Sequence, residues 1–218
     1  QITGIGGTAF KKGYGIYLGS CTGYKIEENN FLNSPGLSRF GTIVNASGTQ
    51  YNEIYKNTYS GITFGTQAQG TNGTAVANSP IGLQIKCNEN STNTTDISVT
   101  SGLIATKQSN CIPLDETAPS GNTFSHTSID IGTNTSVFLF QYNHHSDPLR
   151  IPLFVNGNVT LNSCNIQCNN PSDCCPSNLV NPCNPACERQ IISQINNLRT
   201  KLTAGDAPAL YQIIASNS

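Results

Sequence analysis

The sequence contains no methionine and no tryptophan, and only 11% of its residues are charged. No apolar run approaches the roughly 18 residues that a membrane-spanning helix needs. The eleven lysines and arginines are scattered along the chain without a basic stripe, which argues against a nucleic-acid partner. We therefore expect neither a membrane span nor binding to nucleic acid.

Small polar residues are abundant instead: the chain has 27 asparagines, 20 glycines and 44 serines and threonines. Such a composition can indicate disorder, but disordered chains generally have a high net charge and few periodic aliphatic residues. Here the net charge is -1, and isoleucine and leucine recur periodically. Many short turns, with glycine and asparagine at positive φ, are the better explanation.

A short pattern occurs three times in the first half of the chain. Its copies are Tyr24-x-Ile26-x2-Asn29-x-Phe31, Tyr51-x2-Ile54-x2-Asn57-x-Tyr59 and the shorter Leu83-x-Ile85-x2-Asn88. Glycine and aliphatic pairs such as Gly15-Ile16 and Gly61-Ile62 alternate with these copies. A unit that recurs about every 20 to 30 residues is typical of stacked coils, because each unit buries its apolar face against its neighbours.

Short strands between polar turns, without a 3.6-residue apolar period, indicate β-structure. We therefore predict an all-β fold, a parallel β-helix over residues 1–160 with four or five coils in its repetitive part. An aliphatic ladder would stack inside it, formed by Ile26, Ile54 and Ile85. A second ladder would stack at a bend and satisfy buried backbone groups there, formed by Asn29, Asn57 and Asn88. Ordinary solvated turns are the alternative for the asparagines.

Beyond residue 105 the repeat fades. Residues 118–124 predict a turn that leads to one more coil-like element, and the apolar residues 137–140 predict a strand. Residues 161–187 are rich in Cys, Asn and Pro, and we interpret them as a disulfide-stapled linker. Residues 188–218 change to helical spacing and predict a short, separate helical segment. We also expect the chain to be an internal or processed fragment of a longer protein.

Nine cysteines in a polar chain indicate an oxidising compartment. Six of them lie close together: Cys164, Cys168, Cys174, Cys175, Cys183 and Cys187. We favour disulfides there, because the segment lacks the Cys-x2-Cys spacing of most structural zinc sites. A zinc site is the alternative. The odd total leaves at least one cysteine without an intrachain partner, and Cys21 is our candidate, with its side chain stacked inside a coil.

Paired acids are the main requirement of a glycoside hydrolase, which holds two carboxyl groups about 5 to 9.5 Å apart. In a β-helix such a pair would come from equivalent positions of successive coils. Four aspartates stand mostly alone: Asp96, Asp115, Asp130 and Asp147. Glu27 and Glu53 fall at similar places in two repeats, but each lies next to an inward isoleucine, so we expect both to face solvent.

Histidine is equally uninformative about catalysis. The adjacent pair His144 and His145 would point to opposite faces of a strand, so a surface loop is the preferred interpretation. His126 is the third histidine and has no predicted role. We expect no catalytic residue, no metal site and no cofactor.

These motifs, together with Gly82-Leu83-Gln84-Ile85-Lys86-Cys87-Asn88 and Asp96-Ile97-Ser98-Val99, resemble a known group of sequences. The chain is similar to the right-handed parallel β-helix regions of large secreted surface proteins of Bacteroidota, which are usually exported by the type IX secretion system. The resemblance extends over roughly residues 12 to 215. It implies a strand at Pro148-Leu149-Arg150 and a disulfide between Cys87 and Cys111.

The resemblance implies a non-catalytic module of a secreted or cell-surface protein, of adhesin or stalk type, handled as cargo by the secretion machinery. Glycans or other cell-surface proteins are the partners that we expect. The alternatives are a fragment of a carbohydrate-active β-helix enzyme, either a polysaccharide lyase or a glycoside hydrolase, and a structural component of an outer-surface assembly. β-Helices serve both enzymes and adhesins, so the fold does not decide among these.

Overall fold

The structure is a computed structural model, and it describes residues 2–5, 13–33, 39–111, 119–134, 136–165 and 175. These residues form sixteen short β-strands and one 3-10 helix. The strands are β1 (Ile2–Ile5), β2 (Gly13–Gly19), β3 (Lys25–Glu27), β4 (Asn30–Asn33), β5 (Arg39–Asn45), β6 (Asn52–Tyr55), β7 (Thr58–Ser60), β8 (Phe64–Gln69), β9 (Leu83–Lys86), β10 (Glu89–Ser91), β11 (Thr95–Val99), β12 (Lys107–Gln108), β13 (Ile129–Thr133), β14 (Phe140–His144), β15 (Val155–Asn156) and β16 (Val159–Ser163). The 3-10 helix is Pro148–Arg150.

All strand pairs between these elements are parallel, and non-consecutive strands are neighbours. A six-stranded sheet has the order β2-β5-β8-β11-β13-β15, and a four-stranded sheet has the order β1-β4-β7-β10. A sheet that we call the charged sheet has the order β3-β6-β9, and the last sheet has the order β12-β14-β16. The chain therefore visits one sheet after another and returns to the first sheet one strand further along.

This winding makes about five coils and confirms the predicted parallel β-helix. The first complete coil runs through β2, β3 and β4, and the next runs through β5, β6 and β7. Parallel strands that are joined through two other sheets cannot come from hairpins or from a face-to-face antiparallel sandwich. The pairing thus identifies the architecture without reference to any other protein.

Left-handed backbone conformations occur at the bends between sheets. Bends after the six-stranded sheet use Ser20, Ala46 and Gly70, bends after the charged sheet use Glu28, Lys56 and Cys87, and bends before the six-stranded sheet use Gly61, Thr92 and His126. Each of these bends has at least one residue at positive φ, which turns the chain sharply within one position. The abundance of small polar residues in the sequence follows from this need for many tight bends.

The interior of the coils contains aliphatic and aromatic columns. Ile26 pairs in register with Ile54, and Ile54 pairs with Ile85, and all three are buried. The rings of Phe31 and Tyr59 stack at a centroid distance of 4.8 Å with an angle of 9° between their planes. Parallel pairing places the same strand position of successive coils one strand spacing apart, so similar side chains stack directly.

A glutamine side chain bridges the charged sheet and the last sheet where backbone pairing is interrupted. The Gln108 Oε1 atom accepts a hydrogen bond from the Ile85 amide at 3.0 Å, and its Nε2 atom donates to the Leu83 carbonyl at 2.9 Å. Gln108 is 1% exposed. It therefore satisfies the edge of β9 in place of a neighbouring strand.

Two predictions for the later coils are wrong. Residues 137–140 are not one apolar strand: β14 begins at Phe140, and Phe138 and Leu139 are exposed. The segment Pro148–Arg150 is a 3-10 helix rather than a strand, because the Asp147 side chain accepts a hydrogen bond from the Leu149 amide and caps a turn. Proline suits the first position of such a turn, since its missing N–H would be unpaired there.

The chain divides after Pro176 into two units, and every described residue belongs to the first. Strand β16 continues the β-helix to Ser163. The predicted linker over residues 161–187 lies mostly outside the described residues, and the predicted helical segment over residues 188–218 lies wholly outside them. The boundaries at residues 160 and 187 stay predictions.

Candidate functional site

The asparagines of the repeat lie at the bend between the charged sheet and the four-stranded sheet. The Asn57 Oδ1 atom accepts hydrogen bonds from the Asn29 amide and side chain, both at 3.0 Å. Asn88 does the same for Asn57 at 3.0 and 3.1 Å, and Asn122 for Asn88 at 2.8 and 3.0 Å. Each Oδ1 thus binds two groups of the preceding coil.

Asn122 extends this arrangement by one coil, in the segment where the sequence predicts a further turn. Its side chain donates to the Ile85 carbonyl at 2.8 Å and to the Tyr142 hydroxyl at 2.6 Å. The buried Tyr142 side chain ends the column, because its hydroxyl takes the place of another asparagine. Asn57, Asn88 and Asn122 are buried, and both the oxygen and the nitrogen of each side chain make hydrogen bonds within the bend, so they are not available to a ligand.

Among the described cysteines, two disulfides join parts of the chain that are far apart in sequence. Cys87 bonds to Cys175, and Cys111 bonds to Cys164. The pairing of Cys87 with Cys111 is therefore wrong. Cys87 lies at a bend at positive φ, and its side chain packs with Tyr55 on the outside of the coil. Cys168, Cys174, Cys183 and Cys187 lie outside the described residues.

Cys21 is a free thiol, and it is exposed. Its predicted position inside a coil is wrong, because Cys21 follows Ser20 in the bend after β2 and does not belong to a strand. Among the described residues no group of three or more His, Cys, Asp or Glu side chains has an arrangement that suits a metal ion.

Glu53 is buried, so the prediction that it faces solvent is wrong. Its Oε1 atom lies 2.6 Å from Lys86 Nζ, and its Oε2 atom lies 3.2 Å from Lys25 Nζ. The side chain of Glu27 is only 10% exposed and lies 3.5 Å from the same Lys25. The outer face of the charged sheet therefore carries a compact ion-pair network, in which Glu53 is neutralised by lysines of the two neighbouring coils and Glu27 by Lys25 of its own strand.

The phenol of Tyr55 lies within this network. Lys25 Nζ lies 4.6 Å from the centre of the Tyr55 ring. Burial, followed by the negative charge of Glu53, raises the pKa of Tyr55 well above its usual value. The hydroxyl consequently remains protonated at physiological pH and does not serve as a base.

Asp96 and Asp130 occupy equivalent positions of successive coils. They lie between the register pairs Thr95–Ile129 and Ile97–Ile131, and both are fully buried. The expectation that these acids stand alone is wrong. The loops between the coils differ in length, so the spacing of the two aspartates does not reveal that they stack.

The Asp96 carboxylate is held by the next bend. It accepts hydrogen bonds from the Ser125 amide at 2.7 Å, the Ser125 hydroxyl at 2.6 Å and the Asn93 side chain at 3.0 Å. Burial raises the pKa of Asp96 to about 6, although the hydrogen bonds from Ser125 partly oppose this shift. The Asp130 charge adds a smaller upward contribution to the Asp96 pKa.

Asp130 caps the following coil in the same way. Its Oδ2 atom accepts hydrogen bonds from the Leu153 and Phe154 amides at 2.7 and 3.1 Å, and it lies 2.9 Å from His126 Nδ1. Both aspartates are therefore used as internal caps for backbone N–H groups. Neither has access to solvent, so this pair cannot deliver a proton to a polysaccharide bound outside the coils.

His144 and His145 are buried, so the prediction of a surface loop is wrong. His144 ends β14, and its Nδ1 atom donates a hydrogen bond to the His145 carbonyl at 2.7 Å. Local sequence gave no signal for this burial, because it depends on the coil that β16 adds beside β14.

A shallow recess of about 270 Å³ lies on the outer side of the six-stranded sheet. Ile97 and Val99 belong to the core, so Ser98 between them points outward into this recess. Ser98 pairs with Gly132 of the next coil, which in turn pairs with Asn156. Gly132 lets two side chains come close to its backbone, since a Cβ atom there would lie 3.0 Å from Ile129 Cγ2 and 3.3 Å from Asn156 Oδ1. None of the residues that line the recess is charged.

The sequence does not reveal this recess. It is formed by four strands that are far apart along the chain, β8, β11, β13 and β15. The only available signal is the alternation in Asp96-Ile97-Ser98-Val99, which indicates that Ser98 and its neighbours alternate between two faces.

No protein-family model, no curated protein and no solved structure matches this chain at a significant level. The residues and their geometry are therefore the basis for any functional interpretation. Within the part of the chain that the structure describes, no helix is long and apolar enough to cross a membrane.

Proposed function

We propose that the chain is a non-catalytic β-helix module of a secreted or cell-surface protein, of adhesin or stalk type. The observation that supports this is the use of the acidic side chains. The two stacked aspartates are buried caps of backbone N–H groups, and Glu53 is neutralised by two lysines. A hydrolase needs one acid that donates a proton and one that attacks or activates water, both in contact with substrate.

The stacked coils would act through rigidity. Each coil is fixed to its neighbours by parallel strand pairing, by asparagine side chains at the bend and by buried columns of apolar residues. A rigid module loses little conformational freedom when it binds a glycan or another surface protein, so less of the binding energy is used for ordering. The two disulfides are compatible with an extracellular location.

Incubation with a panel of neutral and acidic polysaccharides tests the absence of catalysis. We expect the chain to release neither reducing ends nor unsaturated products. In parallel control samples, an added glycoside hydrolase should release reducing ends and an added polysaccharide lyase should release unsaturated products. Products from the purified chain that disappear in the Asp96→Asn or Asp130→Asn variant would overturn the proposal and support an enzyme.

We further propose export as cargo of the type IX secretion machinery, on the basis of the resemblance to β-helix regions of Bacteroidota surface proteins. Fractionation of a producing strain tests this part. We expect the protein on the cell surface or in the medium, and we expect it to accumulate in the periplasm when the machinery is disrupted. Unchanged surface display in the disrupted strain would contradict this route.

A further inference from the structure

The recess on the six-stranded sheet has the chemistry of a binding site for an uncharged, hydroxyl-rich ligand. Its polar side chains are hydroxyls and amides, among them Thr95, Ser98, Thr133 and Asn156. Phe64 and Ile129 supply apolar surface beside them. A ligand without charge avoids the desolvation penalty that an ion would incur in a site that offers no opposite charge.

Two hydroxyls in the recess lack a protein partner. Thr95 is 5% exposed and Ser98 is 8% exposed. Neither side chain makes a hydrogen bond to another residue in the part of the chain that the structure describes, although nearby side chains do. Thr133, for example, accepts a hydrogen bond from the Asn158 amide at 2.6 Å. The hydroxyl oxygens of both residues reach solvent in the recess, so their hydrogen-bonding capacity is available for a ligand.

The Phe64 ring is held in a fixed orientation at the edge of the recess. It stacks on Phe40 at a centroid distance of 4.9 Å, with an angle of 5° between the ring planes. Phe64 pairs with Thr95 on its other side, so the ring lies between Phe40 and the recess. The C–H face of a sugar ring is apolar and its edge is polar, which matches an aromatic wall beside a row of hydroxyls.

The size and charge of the recess narrow the ligand class. Pockets for drug-sized molecules are roughly 300 to 1,000 Å³, so a recess of about 270 Å³ suits a smaller unit. The recess has no charged lining residue, whereas the outer face of the charged sheet carries Lys25, Glu53 and Lys86. The fold thus separates its ions from the recess, and an acidic polysaccharide would find no lysine or arginine among the lining residues.

We propose that this recess binds an uncharged sugar unit of a neutral polysaccharide. The proposal rests on the adhesin-type function above and identifies its ligand class and its site. The Thr95 and Ser98 hydroxyls and the Asn156 amide would bind hydroxyl groups of the sugar, and Phe64 and Ile129 would contact its C–H groups. The open side of the recess lets the polysaccharide continue along the outer face of the sheet.

The test compares the complete chain with two double variants of matched chemistry. Thr95→Val with Ser98→Ala removes both hydroxyls from the recess. Thr58→Val with Ser91→Ala makes the same two changes on the four-stranded sheet, where Thr58 and Ser91 lie outside the recess. The probes are mannan, laminarin and dextran as neutral polysaccharides, and alginate and polygalacturonate as acidic ones. Binding is measured by affinity electrophoresis and isothermal titration calorimetry.

We expect at least one neutral polysaccharide to bind and the acidic ones not to bind. A net hydrogen bond is worth about 0.5 to 1.5 kcal/mol, so losing both hydroxyls should weaken binding by roughly fivefold to a hundredfold. The control pair on the four-stranded sheet should bind as the unaltered chain does. A trisaccharide of the bound polymer should compete with the polysaccharide for the site, because the recess binds one sugar unit and the trisaccharide also supplies the units on either side of it.

A third variant, Ser98→Phe, fills the recess from its floor and should abolish binding. Its outward side chain enters open space rather than the core, and circular dichroism verifies the fold. Equal binding by the unaltered chain, the recess pair and Ser98→Phe would overturn the site but leave the adhesin-type function standing. Failure of all neutral polysaccharides, or binding of acidic ones alone, would overturn the ligand class. Release of sugar products would instead contradict the non-catalytic function, so the two failures are distinguishable.

Discussion

Each asparagine of the ladder replaces hydrogen bonds that a bend removes from the sheets. Asn57 accepts from Asn29 through Oδ1, and its Nδ2 group donates to the Ile26 carbonyl at 2.9 Å and to the Tyr55 carbonyl at 3.1 Å. Aspartate cannot donate these bonds, and serine is too short to reach both coils. The bend therefore requires a side chain with a donor and an acceptor on one planar group.

We expect Asn57→Ala to lower the free energy of unfolding by about 2 to 5 kcal/mol, since each buried group left unpaired costs about 1 to 3 kcal/mol. Urea denaturation monitored by circular dichroism measures the change. Asn30→Ala is the matched control, because Asn30 is exposed in β4, and it should change the value by less than about 0.5 kcal/mol. Equal effects of the two variants would show that Asn57 is an ordinary solvated turn residue.

Asp96 gives the protein a pH dependence opposite to that of most carboxylates. Burial raises its pKa to about 6 from 3.8, so the folded state binds a proton more tightly than the unfolded state does. The contribution of Asp96 to stability is complete below about pH 4 and is lost as the pH rises through 6. The loss is on the order of 3 kcal/mol.

We expect the unfolding free energy of the Asp96→Asn variant to fall less between pH 4 and 7 than that of the unaltered chain. Asparagine keeps an acceptor for the Ser125 amide and has no proton to lose. Asp147→Asn is the control, because its carboxylate is 42% exposed and belongs to the surface. Denaturation at intervals of half a pH unit measures the slopes. Identical slopes in all three proteins would contradict a raised pKa at Asp96.

The strands of the six-stranded sheet approach the aromatic column closely at glycine positions such as Gly15 and Gly41. A Cβ atom on Gly41 of β5 would lie 2.4 Å from the Tyr59 ring and 2.6 Å from the Gly65 carbonyl oxygen of β8. The carbonyl belongs to the paired strand and cannot move without breaking the pairing. The absence of a side chain at Gly41 therefore allows the coil to close on its own aromatic residue, Tyr59.

We expect Gly41→Ala to destabilise the protein by about 1 to 3 kcal/mol, the usual range for an overpacked core. Gly19→Ala in β2 is the control, because its nearest neighbour is a Tyr17 ring carbon at 3.3 Å and the position is exposed. Thermal unfolding compares the two variants with the unaltered chain. A Gly41→Ala protein as stable as the control would mean that the coil has room for a methyl group.

The sequence predicts the strands that lie beside a strand with the same sequence pattern in the next coil. Ile54 lies between Ile26 and Ile85 because parallel coils repeat the same strand position, and a one-dimensional period is sufficient to find this. Failures occur where burial depends on unlike neighbours. Glu53 is covered although its position alternates outward, and His144 is covered by a coil with no recognisable repeat. Periodicity predicts direction from the coil axis but not what lies against the outside.

The disulfides and the recess were also not predictable from the repeat, because they bring together residues that are far apart in the sequence. Cys87 and Cys175 are separated by 88 residues, and no spacing rule relates them. Similarly, Ser98, Gly132 and Asn156 form one row only after the loops between coils have taken their lengths. The class of the fold was thus predictable from its repeat, whereas the candidate site was not.

At the scale of the whole β-helix, each coil contacts mainly the coil before it and the coil after it. In such an arrangement stability is approximately a sum of local and nearest-neighbour contributions, so the coils can open in groups. Inner strands have neighbours on both sides, as β6 has β3 and β9, whereas β15 and β16 are the outermost strands of their sheets in the described part of the chain. The Cys111–Cys164 disulfide lies directly after β16 and ties this end to the segment after β12.

Hydrogen exchange measured by mass spectrometry should reveal this gradient. We expect peptides containing the inner strands β6 and β8 to exchange slowest and those containing β15 and β16 to exchange fastest. Replacing Cys111 and Cys164 together by serine should accelerate exchange in β14 and β16 and leave β5 and β6 unchanged, because the lost constraint acts on the last coils. Replacing Cys87 and Cys175 is the comparison, and it should accelerate exchange around β9 instead. A uniform acceleration along the chain in both variants would show that the β-helix opens as one cooperative unit, and the additive description of its coils would then be wrong.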